Sequence, residues 1–265
     1  MKKSNLLTLL FCLLISINLN AQKTDAKEDS KKPKKEKTYK EIITKEAITD
    51  KGLFDIHKVK DKYYYEINDS LLGREMLMVT RIAKTASGLG FGGGKQNTQV
   101  LRWHKKDENI LLRVVSHNVV ANDSLPVSEA VVNSNFEPIL YSFKIATVSK
   151  DSTSSVIDVT KLFTEDVKPL GFPQSRRKSY KISSLNTKKS FIESLNSYPQ
   201  NIESRHVKTY NSSEPPSNSS TGTISLEFNN SMVLLPKVPM KRRYFDQRVG
   251  WFARSQVDYG LDVQE

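Results

Sequence analysis

The sequence has 265 residues, 37% of them hydrophobic and 26% charged, with a formal net charge of +12. These values are near those of globular proteins and exclude a chain that is disordered throughout. The length allows one or two domains that bury a core without disulfides or metals.

The first 21 residues have the features of a secretory signal peptide. Lys2 and Lys3 precede an apolar stretch at 6–17, and Ala21 ends the segment at a typical cleavage position. Cys12, the one cysteine, lies inside this stretch behind the bulky Phe11, which argues against lipid attachment. The mature chain therefore has no thiol, and this excludes cysteine nucleophiles, disulfides and thiolate zinc sites.

No later segment approaches about 18 consecutive apolar residues, so we expect no transmembrane segment in the mature chain. We expect an exported protein that is periplasmic, associated with the outer membrane, or secreted. Residues 22–39 form a basic linker of mixed charge. Because no aromatic residue interleaves its lysines before Tyr39, we interpret it as a tether and expect no nucleic acid partner.

Beyond the linker, short alternating segments between turn residues predict antiparallel strands. The predicted strands lie at 62–67, 99–104, 110–115, 139–145, 156–159 and 224–228. The second and third, and likewise the fourth and fifth, are predicted to form hairpins. Short helices are predicted from Thr160 to Phe163, from Ser128 to Asn133 and over 189–197, and a surface loop over 211–220.

The fold class is therefore mainly β, an α+β chain with few short helices and antiparallel sheets in two modules. Glycines at 88–94 mark the boundary between a small N-terminal module, 40–90, and a larger β-rich module, 91–265. The same stretch matches a dinucleotide fingerprint at Gly88, Gly90 and Gly93 in form alone, because a β-type segment follows where a helix is needed. We interpret it as a flexible loop or a joint between modules.

The sequence contains no complete catalytic motif. Its four histidines, His57, His104, His117 and His206, are far apart, and H-E-x-x-H and G-x-S-x-G are both missing. We therefore name no catalytic, cofactor-binding or metal-binding residue and expect no cofactor in this chain. A site assembled from distant residues stays open at this level, because triads and metal sites form in space.

The end of the sequence is rich in residues typical of a core, which predicts that the larger module is truncated at its C-terminal end. The basic cluster Lys241-Arg242-Arg243 is more typical of a solvated face than of a binding site for an acidic partner. The candidate residues for docking to another domain are Arg248, Trp251, Phe252 and Tyr259.

Several motifs in order give the sequence a family resemblance. They are KYYYEI at 62–67, DSLLGREM at 69–76, NFEPI at 135–139, VIDVT at 156–160, RVGWF at 248–252 and DYG at 258–260. With them the chain resembles the N-terminal region of large exported bacterial zinc-dependent metalloproteases. The resemblance implies two β-rich modules of undefined function ahead of a zincin-like peptidase domain, whose H-E-x-x-H motif would hold zinc. It supplies no catalytic or zinc-binding residue within these 265 positions.

We therefore expect a non-catalytic region that shields or positions its own downstream peptidase domain. The alternative is a free-standing periplasmic or surface binding module for a peptide, glycan or envelope partner. A third hypothesis, an inhibitory pro-region released by processing, shares the expectation of a downstream peptidase.

Overall fold

The computed structural model describes residues 37–217, 219–241, 243, 245–248 and 254–260. The predicted signal peptide and most of the predicted linker lie outside these residues. Fourteen strands and four short α-helices are found within them. The helices are α1 (Tyr39–Ile42), α2 (Val127–Ser134), α3 (Thr160–Thr164) and α4 (Gln174–Ser179). The strands are β1 (Ile48–Asp50), β2 (Asp55–Val59), β3 (Lys62–Asn68), β4 (Glu75–Lys84), β5 (Lys95–Lys106), β6 (Asn109–Val115), β7 (Val119–Val120), β8 (Ile139–Val148), β9 (Ser154–Asp158), β10 (Ile182–Leu185), β11 (Phe191–Ser197), β12 (Asn201–Ser212), β13 (Thr223–Leu234) and β14 (Val257–Asp258).

Twelve of the strands form one antiparallel sheet, which confirms the predicted mainly β class. Its order is β1-β2-β3-β9-β8-β6-β5-β4-β13-β12-β10, with β11 pairing beside β10 on β12. Strand β8 pairs with β6 through its first half and with β9 through its second half, so the sheet turns at this strand. β7 and β14 form a separate two-stranded parallel sheet.

The two ends of the large sheet approach each other. Leu53, in the β1–β2 turn, donates its N–H to the oxygen of Tyr198 at 2.8 Å, and the Ser197 hydroxyl donates to the oxygen of Phe54 at 2.7 Å. A Cβ on Gly52 would lie 2.5 Å from the Ser197 Oγ, so this approach needs a glycine.

The sheet encloses two apolar clusters. The larger centres on Trp103, whose ring packs edge-on against Phe54 at 5.8 Å and against Tyr65 at 6.2 Å. The smaller, called here the second core, lies at the other end of β12 and β13 and includes Leu89, Phe172, Tyr210 and Phe228. Between the two, the inward-facing positions of β12 are polar, at Ser204, His206 and Lys208.

All six predicted strands and both predicted hairpins are confirmed, and helices lie at α2 and α3 as predicted. The helix predicted over 189–197 is wrong, because 191–197 is strand β11. Its register pairs Phe191 with Val207 and Ser197 with Ile202, which satisfies its main-chain groups along β12.

The boundary predicted near residue 90 falls in the loop between β4 and β5. Strands from both sides of it hydrogen bond to each other, since β4 lies between β5 and β13. The division into a module at 40–90 and a second module at 91–265 stays a prediction.

Candidate interdomain docking surface

An open cleft of about 520 Å³ lies where β4 begins and β13 ends. It is lined by Gly73, Arg74, Glu75, Arg102, Leu235, Pro236, Lys237, Pro239 and Met240. The chain reaches the cleft because strand pairing continues for one residue past β13. The N–H of Leu235 donates to the oxygen of Glu75 at 2.9 Å, and the Arg74 guanidinium donates to the oxygen of Leu235 at 2.7 Å.

Two prolines then end this pairing, since neither Pro236 nor Pro239 has an N–H to donate. The side chains that follow point into solvent. Val238 is 84% exposed and Met240 is 75% exposed. The chain thus presents the apolar side chain of Met240 at the cleft and that of Val238 on a neighbouring position of the same segment.

A charged network forms the floor of the cleft. The Arg102 guanidinium donates to Glu75 Oε1 at 2.7 Å and to Glu137 Oε1 at 2.6 Å. The second oxygen of Glu75 lies 3.0 Å from His117 Nε2. The planar guanidinium can bridge two carboxylates in this way because its donors diverge in a fixed fork.

One exposed apolar residue adjoins the network at Glu137. Phe136, beside Glu137, is 75% exposed, and the Arg113 guanidinium lies 4.8 Å from its ring centroid. We call Glu75, Arg102, Phe136, Glu137, Val238 and Met240 the docking surface. Exposed apolar side chains around a bonded arginine are typical of a contact site for another protein surface.

The structure describes two of the four predicted docking residues. Arg248 is exposed, and its guanidinium bonds to the carboxylate of Asp246, with a closest distance of 2.6 Å. Tyr259 is 59% exposed and donates its N–H to the oxygen of Val120 at 2.9 Å. Trp251 and Phe252 lie outside the described residues. The docking role of all four stays a prediction.

Strand β14, which ends just before Tyr259, is tied to the docking surface through His117. The Gln256 side-chain amide donates to the oxygen of His117, and Val257 donates its N–H to the oxygen of Asn118 at 2.8 Å. Sequence reasoning missed Glu75, Arg102 and Glu137 because they are far apart in the chain. Two of the motifs that carry the family resemblance, 69–76 and 135–139, contain the two carboxylates.

A second polar cluster lies buried beneath the segment 165–177. Lys208, with 0% exposure, donates from Nζ to the oxygen of Glu165 at 2.8 Å. Burial lowers the pKa of Lys208 to about 7, and the positive charge of Arg177 acts in the same direction, while the carboxylate of Asp166 opposes it.

His206 faces the same segment. It lies between the rings of Phe163 and Phe228, and its Nε2 is 3.2 Å from the oxygen of Leu170. Burial lowers the pKa of His206 to about 3, with a further lowering from nearby Lys208. The imidazole is therefore neutral at pH 7, and Nε2 is assigned as the donor because a carbonyl can only accept.

Arg177 closes this cluster. Its guanidinium binds both oxygens of Asp166, at 2.5 and 2.7 Å, and its Nε donates to the oxygen of Phe172 at 2.9 Å. The hydrogen bond from Arg177 holds the pKa of Asp166 below its usual range. The Lys208 ammonium and the His206 imidazole donate from β12 to main-chain oxygens of the segment, so they fasten it to the sheet, whereas the Arg177 bonds join two parts of the segment to each other.

The histidines do not come together to form a metal site. Among the residues that the structure describes, no group of three or more His, Cys, Asp or Glu side chains could hold a metal ion. No helix in that part of the chain has both the length and the apolar character needed to cross a membrane.

Comparison with protein families gives two adjacent matches. Residues 36–85 match a family described as Domain of unknown function (DUF5118), and residues 93–265 match one described as Domain of unknown function (DUF5117). No curated protein and no solved structure matches the chain.

Proposed function

Since this chain belongs to the DUF5117 family, we propose that it is the non-catalytic N-terminal region of an exported zinc-dependent metalloprotease-like protein. Its docking surface would pack against the zincin-like peptidase domain and position that domain. The resemblance of the ordered motifs suggests the partner, and the exposed apolar side chains beside the charge network support the choice of contact site. Zinc would be held by the peptidase domain.

The observation that supports this proposal is the exposure of Val238, Met240 and Phe136 around a bonded charge network. Apolar side chains at 75% to 84% exposure gain free energy when a partner removes them from water, by about 25 cal/mol for each Å² buried. The arginine network beside them adds specificity, because the polar groups of a partner must match its geometry.

The first experiment is the intact mass of the native protein, together with the coding sequence downstream of residue 265. A larger protein with H-E-x-x-H downstream supports the proposal. A mature mass equal to that of residues 22–265 overturns it and leaves a binding module.

The second experiment measures docking in that larger protein. The double variant Val238→Ser/Met240→Ser removes exposed apolar contacts and should weaken binding between the two parts, supplied as separate chains, by about tenfold or more. Ile48→Ser is the matched control, because Ile48 is 70% exposed on β1, outside the docking surface. Equal affinities for the double variant and the wild type would contradict the assigned surface.

A further inference from the structure

The glycine-rich loop between β4 and β5 has a defined shape. Ile82 exchanges main-chain hydrogen bonds with the loop, accepting from Gly93 at 2.7 Å and donating to Gly94 at 3.0 Å. A Cβ on Gly92 would lie 2.6 Å from the oxygen of Ala83, so the loop packs directly on the strand. Leu89 is 6% exposed and belongs to the second core. The loop is thus anchored at both ends.

At the apex of this anchored loop stands Phe91, which is 95% exposed. Leu89, two residues earlier, is buried, so the loop places one apolar side chain in the core and holds the next one out in water. A single exposed aromatic residue is common on protein surfaces and carries no conclusion alone. Its surroundings decide what it can bind.

The surroundings of the loop are strongly basic. Residues 167–192 contain seven Lys or Arg and no Asp or Glu, and residues 76–106 contain no Asp or Glu. A Cβ on Gly88 would lie 3.1 Å from Pro216, which places the β12–β13 loop against the glycine loop. The second core joins these segments, because Tyr180, Ile182 and Leu185 pack against it. The exposed cations at this end of the sheet therefore include six on these segments, Lys95, Arg176, Lys178, Lys181, Lys188 and Lys189.

Acidic residues do little to offset this charge. Glu227 is buried and already bonds to Lys84 at 2.6 Å and to Arg205 at 3.3 Å. Glu214, in the β12–β13 loop, and Glu193, one residue past the basic segment, are exposed. The end of the sheet around Phe91 thus combines a large positive excess with one projecting aromatic side chain.

We propose that this end of the sheet, with Phe91 at its apex, binds a membrane surface that carries anionic phospholipid. Five of the six cations are lysines, whose compact ammonium groups are attracted by charge without requiring a fixed geometry. Phe91 stands outside the protein surface and needs a soft apolar layer, which the region below the lipid headgroups supplies. A rigid acidic protein would need a pocket shaped for the ring.

The test is co-sedimentation with vesicles of phosphatidylcholine and phosphatidylglycerol in a 3:1 ratio, against vesicles of phosphatidylcholine alone. All proteins are compared in the same processed form, defined by intact mass, so that any contribution of residues 1–21 cancels. The wild type should bind the anionic vesicles, and binding should fall as salt rises.

Phe91→Ser should weaken partitioning by about tenfold, and Lys178→Glu/Lys188→Glu by more, since each reversal replaces attraction with repulsion. Lys45→Glu/Lys150→Glu, the same change of charge at exposed lysines on other segments, is the matched control and should bind nearly as the wild type does. Circular dichroism and a thermal melt of each variant confirm that it is folded.

Equal binding by Phe91→Ser and Lys178→Glu/Lys188→Glu to that of the wild type would overturn the proposal. So would equal binding to both kinds of vesicle, or a loss in Lys45→Glu/Lys150→Glu of the same size. Capture by an acidic protein with no vesicle binding would also overturn it and assign the surface to a protein partner. The measurement needs no peptidase domain, so its result is independent of the proposed function.

Discussion

Lys208 donates a 2.8 Å hydrogen bond to the main-chain oxygen of Glu165 from a side chain that has no exposure to solvent. The bond fixes the start of the segment that covers β12. Burial of an ammonium group disfavours its charged form, so this attachment has a cost that depends on pH.

Stability should therefore rise with pH above neutrality. The pKa of Lys208 falls from its ordinary 10.5 to about 7 in the folded protein. Between these values the unfolded chain binds the proton and the folded protein does not, so the free energy of unfolding increases by up to about 1.4 kcal/mol per pH unit. Urea unfolding at pH 7 and pH 9 measures this slope, and Lys208→Met should reduce it by about that amount. The same slope in both proteins would show that Lys208 does not titrate in this window.

The loss of stability at acidic pH should depend on His206. Its pKa falls from 6.5 to about 3 in the folded protein, so the unfolded chain binds a proton that the folded protein excludes between these values. Stability is then lost as pH falls below 6.5, again by up to about 1.4 kcal/mol per unit. We expect His206→Gln to reduce the change of the urea unfolding midpoint with pH between pH 6.5 and pH 4.5. His104→Gln, at an exposed position on β5, should leave the curve as it is.

Close packing of the glycine loop predicts a contrast between two substitutions. Gly92→Ala would place a methyl group 2.6 Å from the oxygen of Ala83, and relieving this contact should cost about 1–3 kcal/mol. Gly94→Ala, whose new Cβ would lie 3.6 Å from the Gln96 side chain, should change stability much less. Thermal melts of the two variants give the comparison, and equal losses would argue against the anchored loop.

Because the Arg102 guanidinium bridges two carboxylates, we predict that lysine cannot replace it. A single ammonium group cannot bridge Glu75 and Glu137 as the guanidinium does, so Arg102→Lys should lower the free energy of unfolding by about 1 kcal/mol. Arg205→Lys provides the control, because Arg205 is half exposed and makes one 3.3 Å contact with Glu227. If chemical denaturation shows the same loss for both, the bridge contributes nothing beyond an ordinary ion pair.

Most of the strands that the sequence predicts are those in which apolar residues alternate with polar ones, and the apolar run at 110–115 is the exception. β3 shows this pattern, and the structure places Tyr63, Tyr65 and Ile67 in the core. On β8 the pattern holds only in part, because Phe143 is buried but Ile139 is 50% exposed. β12 lacks the pattern because its inward face carries Ser204, His206 and Lys208, whereas Val207 faces the other way. A strand with a polar inward face can be recognised only when the covering segment that supplies its hydrogen-bond partners is known.

The docking surface was harder to predict for a different reason. Its charge network joins residues from β4, β5 and the segment before β8, and their contact depends on the pairing of β4 with β5, β5 with β6 and β6 with β8. Local patterns cannot show that an arginine on one strand lies between carboxylates that are 62 residues apart, as Glu75 and Glu137 are.

The place of β4 in the sheet makes the two segments that match the two families depend on each other. β4 belongs to the segment that matches DUF5118, yet its neighbours β5 and β13 belong to the segment that matches DUF5117. A gene rearrangement that kept residues 93–265 and discarded 36–85 would leave two long strands with open edges, which invite pairing between molecules. Loss of residues 36–85 should therefore favour aggregation of the remaining segment.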